Sequence, residues 1–166
     1  MKTYIITLSE RFPTTHPRKG QKTNFEHLFL SKKKIHTIRR NILRWENIIR
    51  QVQRGKAILS VRKWTGKPYW SNQVEIGRLT AKDEIGIQKV VFSRSEWEEN
   101  DGQHFCFWAE VDGKEISLNN IAQNDGFSNC DDYISWFDPE IEKQKSDKEG
   151  WKHLELAVIH FTKFRY

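Results

Sequence analysis

An α+β fold, with helices plugging or flanking a small closed or partly closed β-barrel, is predicted by two features of the chain. Between residues 24 and 54 apolar side chains recur at helical spacing, and at Gly55 the period changes from 3.6 to 2. Several short alternating stretches follow, broken by Asn100-Asp101-Gly102 and Asp112-Gly113, both of which favour hairpins. Many short strands with turn signals between them suit a barrel. At 166 residues the chain reads as a single domain spanning 1–166, long enough to bury a core without staples.

The elements follow in order. Residues 2–8 alternate around Tyr4, Ile6 and Leu8 and read as a strand. Residues 11–21 hold two prolines and a glycine and read as a long loop, a kind of segment that often carries function. Thr23 or Asn24 can cap a short helix whose Phe25, Leu28 and Phe29 share one face. Asn41 is a good N-cap for a helix with Ile42, Trp45, Ile49 and Val52 at helical spacing, and Gly55 suits its end. Strands are predicted at 57–64 and near 73–79, 85–93, 103–111 and 114–118. Asn119 or Asn120 opens a helical turn that Gly126 breaks. Ser128 and Asp131 resemble a capping box for a helix that Pro139 should stop near Phe137. Residues 140–152 read as a charged, solvated loop and 154–164 as a closing strand.

Hydrophobic residues make up 37% of the chain and aromatics 13%, with seven tryptophans, which is not the composition of a disordered protein. No apolar run is long enough to span a membrane, and residues 1–8 lack a signal-peptide core. Cys106 and Cys130 form neither a disulfide framework nor a zinc set, so a cytoplasmic location is expected. No two of the six histidines have the four-residue helical spacing of a zinc site; no metal or cofactor is expected.

Charge is divided unevenly. Ten lysines and arginines between Arg18 and Arg50 face only Glu26 and Glu46, a local excess of +8 against +6 for the whole chain. From Glu96 to Glu149, 15 acids face four bases. Such asymmetry suits a polyanion on one face only. The basic zone centres on 31–41, Ser-Lys-Lys-Lys-Ile-His-Thr-Ile-Arg-Arg-Asn, read as the floor of a binding site. Trp64, Tyr69 and Trp70 flank a turn beside Arg62, Lys63 and Lys67; rings among cations suit single-stranded nucleic acid, and packing at the core's rim is the alternative.

Within this zone Lys32-Lys33-Lys34-Ile35-His36-Thr37-Ile38-Arg39 resembles the Gly-x-Lys-x-x-Thr-x-Arg signature of ASCH domains, relatives of the PUA fold. Lys34, Thr37 and Arg39 match, and Lys32 stands in the place of the glycine. Residues 55–62 and the segment Ile121-Ala-Gln-Asn-Asp125-Gly-Phe-Ser128 resemble further family pieces in the same order. The resemblance implies a PUA-like β-barrel that binds RNA or a modified nucleoside or nucleotide. In some members it also implies amidohydrolysis of acetylcytidine, with metal-dependent ribonucleases as a further alternative. The implied catalytic set is Lys34, Thr37 and Asp125, the aspartate standing where those enzymes have glutamate.

The residues set conditions on that chemistry. A threonine hydroxyl needs a base to attack. Lys34 can serve only if its amine is neutral near pH 7, which neighbouring cations and burial favour and Asp125 opposes. If 32–37 were one regular strand, Lys32, Lys34 and His36 would share a face and Thr37 would point away, so a turn or bulge is required. Arg39 suits phosphate or a base edge, with an ion pair to Asp125 as the alternative. Arg40, Lys32, His36, Arg62 and Trp64 complete the expected substrate-binding residues. For Lys34, a solvated lysine is the plain alternative, and for Asp125 a turn former before glycine.

Overall fold

The computed structural model describes residues 1–166 as an α+β fold of eight strands and four helices. In order these are β1 (Lys2–Thr7), α1 (Phe25–Leu30), β2 (His36–Arg39), α2 (Ile42–Gln53), β3 (Ala57–Trp64), β4 (Gln73–Leu79), β5 (Gly86–Glu99), β6 (Gly102–Val111), β7 (Lys114–Ile116), α3 (Leu118–Asn124), α4 (Cys130–Ile141) and β8 (Trp151–His160). No helix is long and apolar enough to cross a membrane.

The strands pair in two sheets, and their hydrogen bonds close no barrel. The first sheet has the order β1-β3-β4, with β1 parallel to β3; the second has the order β2-β8-β5-β6-β7 and is antiparallel throughout. The parallel β1–β3 pair needs a crossover, and α1, β2 and α2 supply it. α2 packs against β3 of one sheet and β5 and β8 of the other. Its Trp45, Ile48, Ile49 and Val52 are buried on one face, so α2 joins the two sheets into one core.

Local signals explain most boundaries. Asn41 sits in the left-handed region, and its side chain accepts from the Arg44 N–H at 3.1 Å, so it both turns the chain and caps α2. Asp112 and Gly113 both have positive φ, as a two-residue hairpin turn from β6 to β7 requires.

Three expectations need correction. The cap of α3 is Ser117, whose hydroxyl accepts from the Asn120 N–H, so the helix starts before Asn119. The cap of α4 is Asn129 rather than Ser128. Pro139 does not stop α4, which runs on to Ile141. Proline removes one N–H, but Ile141 is fully buried and Arg94 pairs with both Asp138 and Glu142, while Arg40 pairs with Glu140. These contacts hold the last turn, so the acidic 138–142 stretch is clamped to the body and the solvated loop begins only after it.

Candidate active site

Lys34 is placed by the end of α1. The Leu28 carbonyl accepts from the N–H groups of both Lys33 and Lys34, at 2.8 and 2.9 Å, after Lys32 has turned through the left-handed region. Ile35 then donates to the Asn124 carbonyl at 2.9 Å, at the end of α3, and strand pairing begins only at His36. Lys34 is therefore free of strand alternation. It shares a small pocket with Thr37, Arg39 and Asp125, lined also by Phe25, Phe127 and Trp136. The turn that the motif required is present.

Lys34 and Asp125 form the centre of the pocket, and both are buried. The Lys34 ammonium donates to the Asp125 carboxylate and to the Asp125 backbone carbonyl, and lies 4.2 Å from the centre of the Phe25 ring. Burial lowers the Lys34 pKa, and the attraction of Asp125 does not offset it; Arg39 adds to the lowering. Burial likewise raises the Asp125 pKa against the pull of Lys34 and Arg39. Both groups are pushed towards their neutral forms, the condition for Lys34 to act as a base.

Thr37 is buried, and its hydroxyl oxygen accepts from Arg39 Nη1 at 2.8 Å. Arg39 also donates to the backbone carbonyls of Ile38 and Thr7, so its guanidinium ties β2 to the end of β1. It therefore fixes Thr37 from the pocket wall. No hydrogen bond joins Lys34 to Thr37 directly. The pocket they share, of about 20 Å³, has room for one water.

Behind Asp125 lies a layer of support. Asn124 Nδ2 donates to the Tyr166 hydroxyl at 3.0 Å, which leaves that hydroxyl to donate to His36 Nε2 at 2.7 Å. The network thus assigns the His36 proton to Nδ1, which faces Asp125 Oδ1 at 3.8 Å. His36 is completely buried and backs the carboxylate, in place of the expected contact with substrate.

The remaining expected residues lie elsewhere. Lys32 is exposed and lines a different cavity. Arg40 is exposed and paired with Glu140. Arg62 donates to the Ser60 hydroxyl at 2.9 Å, and the Trp64 ring packs on Tyr69 at 5.3 Å; neither lines the pocket. A larger cavity of about 230 Å³ shares Leu8, Ser9 and Phe25 with the pocket and adds Arg11, Lys22 and Lys63. For metals, Glu99, Asp101 and His104 bring ligand atoms within 4.8 Å of one another at the tip of the β5–β6 hairpin, and their exposed acids need no ion to explain them.

Two further residues shape the site. Tyr166 carries no local signal, because its role depends on the chain folding back onto β2. Gly126 is needed for its conformation and its closeness. Its φ is +88°, and a Cβ there would stand 3.2 Å from Phe25 Cδ1 and 3.3 Å from Lys34 Cδ. The Gly126→Ala variant is expected to lose about 1–2 kcal/mol from the left-handed backbone alone. Crowding against Lys34 adds to this. A thermal melt should show a drop of at least about 2–4 °C for each kcal/mol; an unchanged melt would remove Gly126 from the account.

The chain matches no family model, no curated protein and no solved structure.

Proposed function

We propose that the protein is an amidohydrolase acting on an acylated nucleoside, such as acetylcytidine, free or within RNA. The observation that carries this reading is the buried Lys34–Asp125 pair in one pocket with the Thr37 hydroxyl. A binding surface has no need to bury a lysine, whereas a base that must be neutral gains from it. The match of Lys34, Thr37 and Arg39 to the ASCH signature supports the same chemistry, and a PUA-like arrangement of the two sheets belongs to this reading.

The acyl carbonyl lies over the small pocket, which keeps room for one water, and the adjoining 230 Å³ cavity takes the nucleoside. The Thr37 oxygen attacks the amide carbonyl carbon, and its proton passes to the neutral Lys34 amine through one water. The carbon–nitrogen bond then breaks, and Lys34 returns the proton to the leaving amine. Water attacks the resulting threonyl ester, again losing a proton to Lys34, and frees the carboxylic acid and the Thr37 hydroxyl. Asp125 orients Lys34 and shares its proton; Arg39 holds the Thr37 oxygen in place. Arg11, Lys22 and Lys63 line the outer cavity, and Lys63 is already held by Glu10 and Glu26 at 3.0 and 2.7 Å.

The test is release of free acid from N4-acetylcytidine by the purified chain, with a chelator present. Thr37→Ala and Lys34→Ala should each lose nearly all turnover, and the double variant little more, because members of one catalytic unit fail together. Full turnover by Thr37→Ala would end the nucleophile assignment. Acetylcytidine binding without turnover by the wild-type chain would leave a nucleoside- or RNA-holding module instead.

A further inference from the structure

Lys34 also borders a second cavity, of about 490 Å³, enclosed by the end of α1, strand β4, the short helical turn Ala81–Asp83 and the chain after β8. We propose that this groove binds a nucleotide, its base on the Phe29 ring and its phosphate among Lys32, Lys82 and Lys163. The proposal goes beyond the hydrolytic reading and does not rest on it.

The size and the lining both fit. A volume of 490 Å³ lies within the roughly 300–1,000 Å³ of small-molecule sites. Lys32, Lys82 and Lys163 are exposed and form no ion pair. Of the other two cations in the lining, Lys34 is paired with Asp125 and Arg78 is held by Glu75 at 2.9 Å. Of the two carboxylates in the lining, Asp83 is occupied by the N–H and hydroxyl of Thr80, at 2.7 and 3.0 Å. Glu84 alone stands against the three free lysines. An anion is the ligand such a rim selects.

The floor is apolar and fixed. Phe29 meets Phe161 edge to face at 5.2 Å. It also lies against the bare backbone of Gly77, where a Cβ would stand 2.6 Å from Phe29 Cε1. A half-buried ring beside a cluster of ammonium groups matches a ligand with a planar base and a phosphate.

Lys32 is set on the groove's rim by the way α1 ends. Its φ is +58°, a conformation that glycine adopts freely and a lysine adopts at a cost. A long cationic side chain at that position strains the turn and places its charge on the groove's rim. The conformation is that of the residue closing α1, with the Lys32 N–H on the Phe29 carbonyl at 3.0 Å and the Lys33 N–H on the Leu28 carbonyl at 2.8 Å, so the helix end fixes where this charge sits.

Calorimetric titration with CMP, cytidine and inorganic phosphate tests this at near-physiological salt. CMP should bind at least about tenfold tighter than cytidine or phosphate, since both parts of the groove are needed. The Lys82→Glu, Lys163→Glu double variant should fold normally and bind CMP at least about tenfold more weakly. Lys32→Gly should melt at a higher temperature yet bind CMP more weakly, a combination that loss of structure cannot produce. Thr37→Ala should bind CMP like the wild type. CMP binding no tighter than cytidine, or unchanged in the double lysine variant, would overturn the proposal. Loss of CMP binding in Thr37→Ala would overturn it too, by moving the nucleotide to the Lys34–Asp125 pocket.

Discussion

Lys34→Met should destabilise the protein by about 3–5 kcal/mol, the usual cost of leaving one member of a buried ion pair without its partner. Asp125 would then lie buried and lose the ammonium that donates to its carboxylate and to its own carbonyl. Protonation of Asp125 limits the loss, because burial already raises its pKa. Asp125→Asn alone should also be costly, since it removes the carboxylate that favours the Lys34 proton and leaves the amine, at a site that is 2% exposed, without its ionic partner. The Lys34→Met, Asp125→Asn double variant removes both charges. It should be far more stable than the sum of the single costs allows, because a buried pair can be replaced by neutral groups at little cost. Denaturant midpoints of the four proteins measure this coupling. Strict additivity would show that the two residues do not act as a pair. The double variant also separates folding from chemistry: it should be stable and yet release no acid from acetylcytidine.

The pieces of this site were legible in the sequence to different degrees. Alternation and turn residues placed seven of the eight strands, and Asn41 with its apolar followers placed α2, because those signals are local; β2 lies inside the basic stretch 31–41 and is not among the predicted strands. The grouping of Lys34, Thr37 and Asp125 came from the motif. The turn that lets Lys34 and Thr37 face one pocket did not, because it is made by the Leu28 and Asn124 carbonyls of two separate helices. Arg39 was expected to touch substrate, but its fork is taken by three oxygens, two of them on its own strand and one on β1. Arg40 was expected to join it and instead meets Glu140, an acid brought close only by the continuation of α4 past Pro139. The two-sheet arrangement was hidden for a similar reason. Strand periodicity shows which residues face a core, but it does not show that β1 pairs only with β3 or that β2 pairs only with β8.

Acid should unfold this protein by way of two buried histidines. His36 and His160 lie side by side on paired strands, with ring centres 5.7 Å apart, and both are completely buried. Burial holds His160 at a pKa of about 3, with Arg165 adding to the lowering and Asp112 opposing it. Burial, then Lys34 and His160, hold His36 well below the ordinary histidine value of 6.5. In the unfolded chain both rings take a proton as the pH falls through about 6.5. In the folded protein both stay neutral to much lower pH. The unfolded state therefore binds more protons, and stability is lost as the pH falls from about 6.5 towards 3. Two extra protons give a slope of about 2.7 kcal/mol per pH unit. Asp125 works the other way, because its raised pKa lets the folded state take up a proton before the unfolded chain does, and so flattens the lower part of the curve. His160→Phe keeps a ring of similar shape beside Tyr166 and Phe164 and removes two buried nitrogens that have no hydrogen-bond partner. Urea midpoints between pH 7 and 4 should show the variant losing stability about 1.4 kcal/mol per pH unit less steeply than the wild type. Equal slopes would mean that His160 takes up its proton without unfolding the chain.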